Sequence, residues 1–128
     1  MAKKRPRPLT KAELRIMQVL WKKRRATVSE VASALSSPPL AYTTVLTMLR
    51  ILEQKRIVGR TAEGRAHVYY PCIEYDDAAT SAIGDLLRSF FSDSKTALAV
   101  RLMSEARPSR DELASIKSLI ARYEEEHL

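Results

Sequence analysis

Cysteine is almost missing from this chain: Cys72 is the only one in 128 residues. That excludes an intramolecular disulfide and the stapled framework of small secreted domains. Cys72 itself reads as a small buried hydrophobe. Glycine is scarce too, with three in all. There is no glycine-rich phosphate loop, no Gly-x-Ser-x-Gly elbow and no His-Glu-x-x-His pair, and His67, His127 and Cys72 are the only soft donors. No enzyme activity, bound metal or cofactor is expected from such a set. Apolar residues never run to the about 18 that a membrane span needs. The basic start MAKKRPRP is not followed by the apolar stretch of a signal peptide. The expected location is the cytoplasm.

What is abundant is positive charge, and it is unevenly placed. Met1 to Cys72 holds 15 Lys and Arg against 4 Asp and Glu, whereas Ile73 to Leu128 holds 7 against 11, so the halves carry +11 and −4 of the net +7. The first half has the electrostatic footprint of a polyanion binder and the second has no reason to approach one. A chain of this length makes one domain, or two small ones sharing a core or a partner.

The stretch AYTTVLTMLRILEQ, residues 41–54, organises the reading. At a helical step of about 100° per residue, Ala41, Val45, Met48, Leu49 and Leu52 share an apolar arc, and Thr43, Thr47, Arg50 and Gln54 lie opposite. A solvated helix face is usually rich in Glu and Lys. Small hydroxyls, a guanidinium and an amide instead suit close approach to a DNA base edge or phosphate.

The flanking sequence supports that use. Residues 1–8 form a basic, proline-punctuated arm. Leu9-Thr10-Lys11-Ala12-Glu13-Leu14 predicts a capped helix start with Leu14, Met17 and Trp21 inward, and Lys22-Lys23-Arg24-Arg25 closes that helix beside a phosphate. Thr27-Val28-Ser29-Glu30 opens a second, short helix with Val31, Ala32 and Leu35 inward. Ser36-Ser37-Pro38-Pro39 ends it in a tight turn. Two short helices joined in this way, the second with a polar N-terminal face, form a helix-turn-helix pattern. Residues 57–61 and 66–70 then alternate as strands about a turn at Ala62-Glu63-Gly64-Arg65. A hairpin after a recognition helix is a wing, with Arg60, Arg65 and His67 near backbone phosphates. Beyond Ile73 three helical patterns recur, the last capped at Ser109-Arg110-Asp111-Glu112. Their apolar stripes make too little core alone, so a second copy of the chain is the economical cover.

Four motifs, LTKAELRIMQVLW at 9–21, LAYTTVLTMLRILEQK at 40–55, RAHVYYP at 65–71 and DELASIKSLI at 111–120, make the chain resemble the penicillinase-repressor (BlaI/MecI) family of bacterial transcription factors. The resemblance implies a winged helix-turn-helix that binds double-stranded, dyad-symmetric operator DNA, and a helical C-terminal region that interlocks a homodimer. It also implies a membrane sensor protease that triggers cleavage in that region. By position, the DNA-reading matches are Thr43, Thr44, Leu46 and Thr47, with Arg50 added from the helical arc. Thr43 and Leu46 stand where the familiar members have basic residues, which favours hydroxyl and thymine-methyl contacts over guanine recognition. The matching cleavage region contains Arg101 and Leu102, without the polar-aromatic pair of cleaved members. The paired C-terminal cysteines of copper-responsive relatives are absent.

The expected fold is thus mainly α: a basic arm over 1–8, a winged helix-turn-helix of three helices and a small antiparallel sheet over 9–72, and a helical dimerisation region over 73–128. Two other functions stay open at this level, a winged helix that binds protein and a regulator that responds to a small molecule.

Overall fold

The computed structural model of the chain describes residues 8–128. The expected basic arm therefore lies, apart from Pro8, outside the described residues. The elements in order are α1 (Lys11–Lys23), β1 (Ala26–Thr27), α2 (Val28–Ala34), α3 (Tyr42–Gln54), β2 (Val58–Glu63), β3 (Ala66–Pro71), α4 (Tyr75–Phe90), α5 (Lys95–Glu105) and α6 (Arg110–His127). Chain contacts divide it into two compact units that part inside α4, between Asp85 and Leu86. No helix of the described residues is long and apolar enough to cross a membrane.

Local sequence sets the helix starts. Thr10 accepts from the Glu13 amide at 3.1 Å while the Glu13 carboxylate accepts from the Thr10 amide at 2.9 Å, a reciprocal cap that satisfies two otherwise orphaned donors. Thr27 and Glu30 repeat it at α2, and Ser109 and Glu112 at α6. The capping amides and hydroxyls hold the Glu30 and Glu112 carboxyls below the usual carboxylate range. Ser94 caps α5 through the Ala97 amide at 3.0 Å, a start the sequence reading missed.

In the first unit α1, α2 and α3 pack with a three-stranded antiparallel sheet of order β1-β3-β2. The two-residue β1 was not foreseen, being too short for any periodicity; it pairs Ala26 with Tyr69 and Thr27 with Val68. β2 and β3 pair from Val58–Pro71 to Glu63–Ala66. The hairpin therefore closes through Gly64 and Arg65 alone, tighter than the four-residue turn expected. Gly64 has φ +62, which a side chain would disfavour in this turn. At Gly59 the requirement is space: the ring of its partner Tyr70 covers the place a Cβ would occupy. The core comprises Ile16, Met17, Leu20, Val31, Leu35, Val45, Leu49, Leu52, Ile57, Val58 and Tyr69 among others.

Three expectations need correction here. Leu14 is 38% exposed, because the inward arc of α1 runs through Glu13, Ile16, Met17 and Leu20. The polar Glu13 takes a core position since both its oxygens find partners. Cys72 is exposed rather than buried; the burial it retains still raises its thiol pKa. The connection between α2 and α3 is also longer than a tight turn, spanning residues 35–41, with a bridge between Ser36 and Pro39 and with Leu40 packed on the core. The Arg15 guanidinium donates to the Pro38 carbonyl and fastens this loop to α1.

The second unit holds the end of α4 with α5 and α6. None of these three helices has a buried residue. Leu86, Phe90, Val100, Leu102, Leu119, Ile120 and Tyr123 are all exposed.

Candidate nucleic-acid interface

α3 divides as its sequence predicts, except that Ala41, placed in the apolar arc, is the exposed N-cap. Val45, Leu49 and Leu52 are fully buried and Met48 packs partly against the core, while Thr43, Thr44, Thr47, Arg50 and Gln54 are exposed. Leu46, placed among the DNA-reading residues by resemblance, is half-buried against the core. It can offer an edge to a ligand, not a whole side chain. The Thr47 hydroxyl donates to the Thr43 carbonyl at 2.9 Å. Its proton is thereby committed within the helix, and what Thr47 presents outward is a methyl group and an acceptor oxygen.

The start of α3 differs from every other capped start in the chain. Ala41 is its N-cap and supplies no side-chain hydrogen bond, and no acidic residue stands in the first turn. The first amide to find a helical partner is that of Val45, 3.0 Å from the Ala41 carbonyl. The amides of Tyr42, Thr43 and Thr44 thus face outward at the positive end of the helix dipole, an arrangement that suits an anionic oxygen.

The end of α3 is held firmly. Lys55 is the C-cap, and Arg56 takes a left-handed conformation at φ +63. The Arg56 amide bonds to the Glu53 carbonyl at 3.0 Å and that of Ile57 to Leu52 at 2.9 Å, the pair of bonds of a Schellman motif. Ile57 and Leu52 are both buried, supplying the apolar contact that accompanies it. Glycine is the usual residue at such a position, so Arg56 adopts it at a cost of about 1 kcal/mol. The buried Glu13 carboxylate reaches the Lys55 ammonium at 3.1 Å with one oxygen while capping α1 with the other. Burial opposes its ionisation, but the Thr10 amide and Lys55 outweigh that penalty and hold its pKa below the usual range.

The basic residues fall into two groups. Arg50, in the middle of α3, and Arg65, at the wing turn, are exposed and enter no ion pair among the described residues. His67 is exposed on β3. Lys11, Lys22, Lys23 and Arg56 are likewise exposed and enter no ion pair among the described residues, whereas Arg24, Arg25 and Arg60 are committed within the protein. Arg24 meets both carboxylate oxygens of Glu74 at 3.0 and 3.1 Å, which raises the guanidinium pKa and lowers that of the acid. Arg25 pairs with Glu63. Arg60 Nε lies 3.3 Å from Glu53 Oε2. Of the run 22–25, expected to be open to phosphate, both arginines are therefore already paired. Trp21 anchors the same corner: its indole N–H donates to the Ile73 carbonyl at 2.8 Å, and its ring meets Tyr75 edge-on at 5.4 Å.

Arg101 and Leu102, the residues at the expected cleavage region, lie inside α5, with Arg101 3.5 Å from Glu105. They are remote in sequence from α3 and the wing and belong to the other unit. No group of acidic, histidine or cysteine side chains among the described residues is arranged to hold a metal ion.

Comparison with known proteins identifies the family. The family model described as penicillinase repressor matches residues 9–122. The transcriptional regulator BlaI of Mycobacterium tuberculosis is 32% identical over 117 residues, covering 90% of this chain and 84% of that protein. The penicillinase repressor of Bacillus licheniformis is 28% identical over 120 residues, covering 93% and 91%. Among solved structures, the solution structure of the DNA-binding domain of the repressor BlaI superposes with a TM-score of 0.51 at 36% identity, over 59% of this chain and 93% of that one. The fold is a winged helix followed by further helices, and the chain belongs to the penicillinase repressor family.

Proposed function

We propose that this protein is a homodimeric transcriptional repressor that binds dyad-symmetric operator DNA. The observation that carries the reading is α3 itself. Its apolar face is sealed in the core, its exposed face is Thr43, Thr44, Thr47 and Arg50, and its uncapped amide end faces outward. An α-helix of this kind fits the major groove, the hydroxyls and methyls meet base edges, and the open amides take a backbone phosphate. Arg65 at the wing turn contacts the adjacent backbone, and Leu46 offers its exposed edge to a thymine methyl. The names of the relatives support the same reading.

Two copies are needed because one short helix reads too few bases, and the exposed apolar stripes of α4, α5 and α6 are the surface on which they join. Occupancy of the operator then excludes transcription. Release by a membrane sensor protease at Arg101 and Leu102 would require α5 to open first, since that bond lies within a continuous helix.

A gel shift over a range of salt tests the interface. Arg65→Ala weakens binding to all duplexes alike and flattens the salt dependence by about 0.9 per lost phosphate contact on each protomer. Thr47→Ala weakens the preferred duplex by about 1 kcal/mol more than random duplex. Uniform losses from both would remove the assignment of the reading face.

A further inference from the structure

Arg60 reads from sequence as a wing arginine that faces DNA. Its surroundings point elsewhere. Arg60 stands opposite Tyr69 in the β2–β3 register, and cross-strand partners share one face of a sheet. Tyr69 is 1% exposed in the core, so Arg60 springs from the helix-facing side of the wing, at the rim of the core. There its Nε meets Glu53 Oε2 at 3.3 Å, and the two side chains are only 37% and 33% exposed. Glu53 calls for an explanation in its own right. It sits in the last turn of α3, where a carboxylate opposes the helix dipole, and in a unit whose charge otherwise suits a polyanion. Its contact with Arg60 supplies one. The chain between Glu53 and β2 is short and turns through Arg56 in a left-handed conformation. On its other side the same turn is fastened to α1 by Lys55 and Glu13.

We propose that Arg60 is a positioning residue and not a phosphate ligand: the Glu53–Arg60 tie fixes where the wing stands relative to the reading helix. This rests on the DNA-binding reading above, and it assigns the wing's backbone contact to Arg65 alone of the two arginines. A tie and a ligand respond differently to charge. A tie loses its function when either partner is neutralised and recovers it when the two charges are exchanged. A phosphate ligand is freed when its acidic neighbour is neutralised, and cannot be replaced by glutamate.

The test uses the full chain and two probes, a duplex enriched from a random pool by the wild-type protein and a random duplex of the same length, each titrated over a range of salt. Glu53→Gln and Arg60→Gln are each expected to weaken binding to the enriched duplex about two- to fivefold, with the salt slope unchanged. The exchanged pair, Glu53→Arg with Arg60→Glu, recovers most of that loss, and Arg65→Gln serves as the control that does flatten the slope. The proposal is overturned if Arg60→Gln flattens the slope by about 0.9 per protomer, if Glu53→Gln tightens binding, or if neither single variant has an effect. Should the exchanged pair not fold, the slopes of the single variants decide. Failure of the wild-type protein to retain any duplex at low salt would remove the DNA-binding reading itself, and is seen before any variant is made.

Discussion

α1, α2 and α3 carry apolar stripes that close on one another and on the sheet, leaving Ile16, Val45 and Leu49 without solvent contact. α4, α5 and α6 carry stripes of similar composition and bury nothing. Leu113 and Ile120 are 39% and 55% exposed, although Leu113, Ile116 and Ile120 recur on α6 at the same helical spacing as Val45, Leu49 and Leu52 on α3. Periodicity thus tells that a face is to be covered, not what covers it. In the first unit the cover is the same chain, because three helices and a hairpin bring their faces together within about sixty residues of sequence. In the second unit the proposed cover is another copy.

That contrast can be broken most forcefully from the first unit. Leu49→Ala removes a side chain with no solvent contact and is expected to destabilise the fold by about 3 kcal/mol, read as a drop in the denaturant midpoint at unchanged protein concentration. The second unit should respond in the opposite manner. Ile120→Glu is expected to leave the melting of the first unit in place while raising the dissociation constant for self-association by about 100-fold, read by sedimentation. A variant that stays associated would show that the α6 stripe is not the covered face.

The smallest effect sharpens the comparison by chemistry rather than size. Glu13 is the one buried charged residue among those described, and its folded pKa is depressed. A group whose pKa is lower in the folded state stabilises the fold above its unfolded pKa, and that contribution is lost as pH falls through the folded value. Glu13→Gln is therefore expected to cost about 1 to 2 kcal/mol at neutral pH. The difference from wild type shrinks as pH falls through the carboxylate range. A difference that is constant with pH would mean that the Thr10 amide and Lys55 together do not lower the Glu13 pKa on folding.

Much of the fold was legible because its signals are local. The three Ser or Thr caps with a glutamate three residues on all formed, and the positive φ at Gly64 follows from a hairpin turn. The two faces of α3 were likewise readable from a helical step. What was not legible concerns residues whose partners are brought to them by other elements of the fold. Glu13 is buried because Lys55 reaches it from the end of α3, Arg60 turns inward to Glu53, and Arg24 and Arg25 are occupied by Glu74 and Glu63. Nothing near these residues in sequence carries that information.

The sequence by itself determined where α1, α2 and α6 begin, which face of α3 is apolar, and that a basic first half precedes an acidic second half, since helix caps, periodicity and charge are properties of neighbours. Only the tertiary structure decided which charges remain outward. An arginine at the surface is open to a phosphate or already satisfied by a carboxylate according to what the fold brings within about 4 Å of it, and by that measure Arg50 and Arg65 face outward while Arg24, Arg25 and Arg60 are already paired.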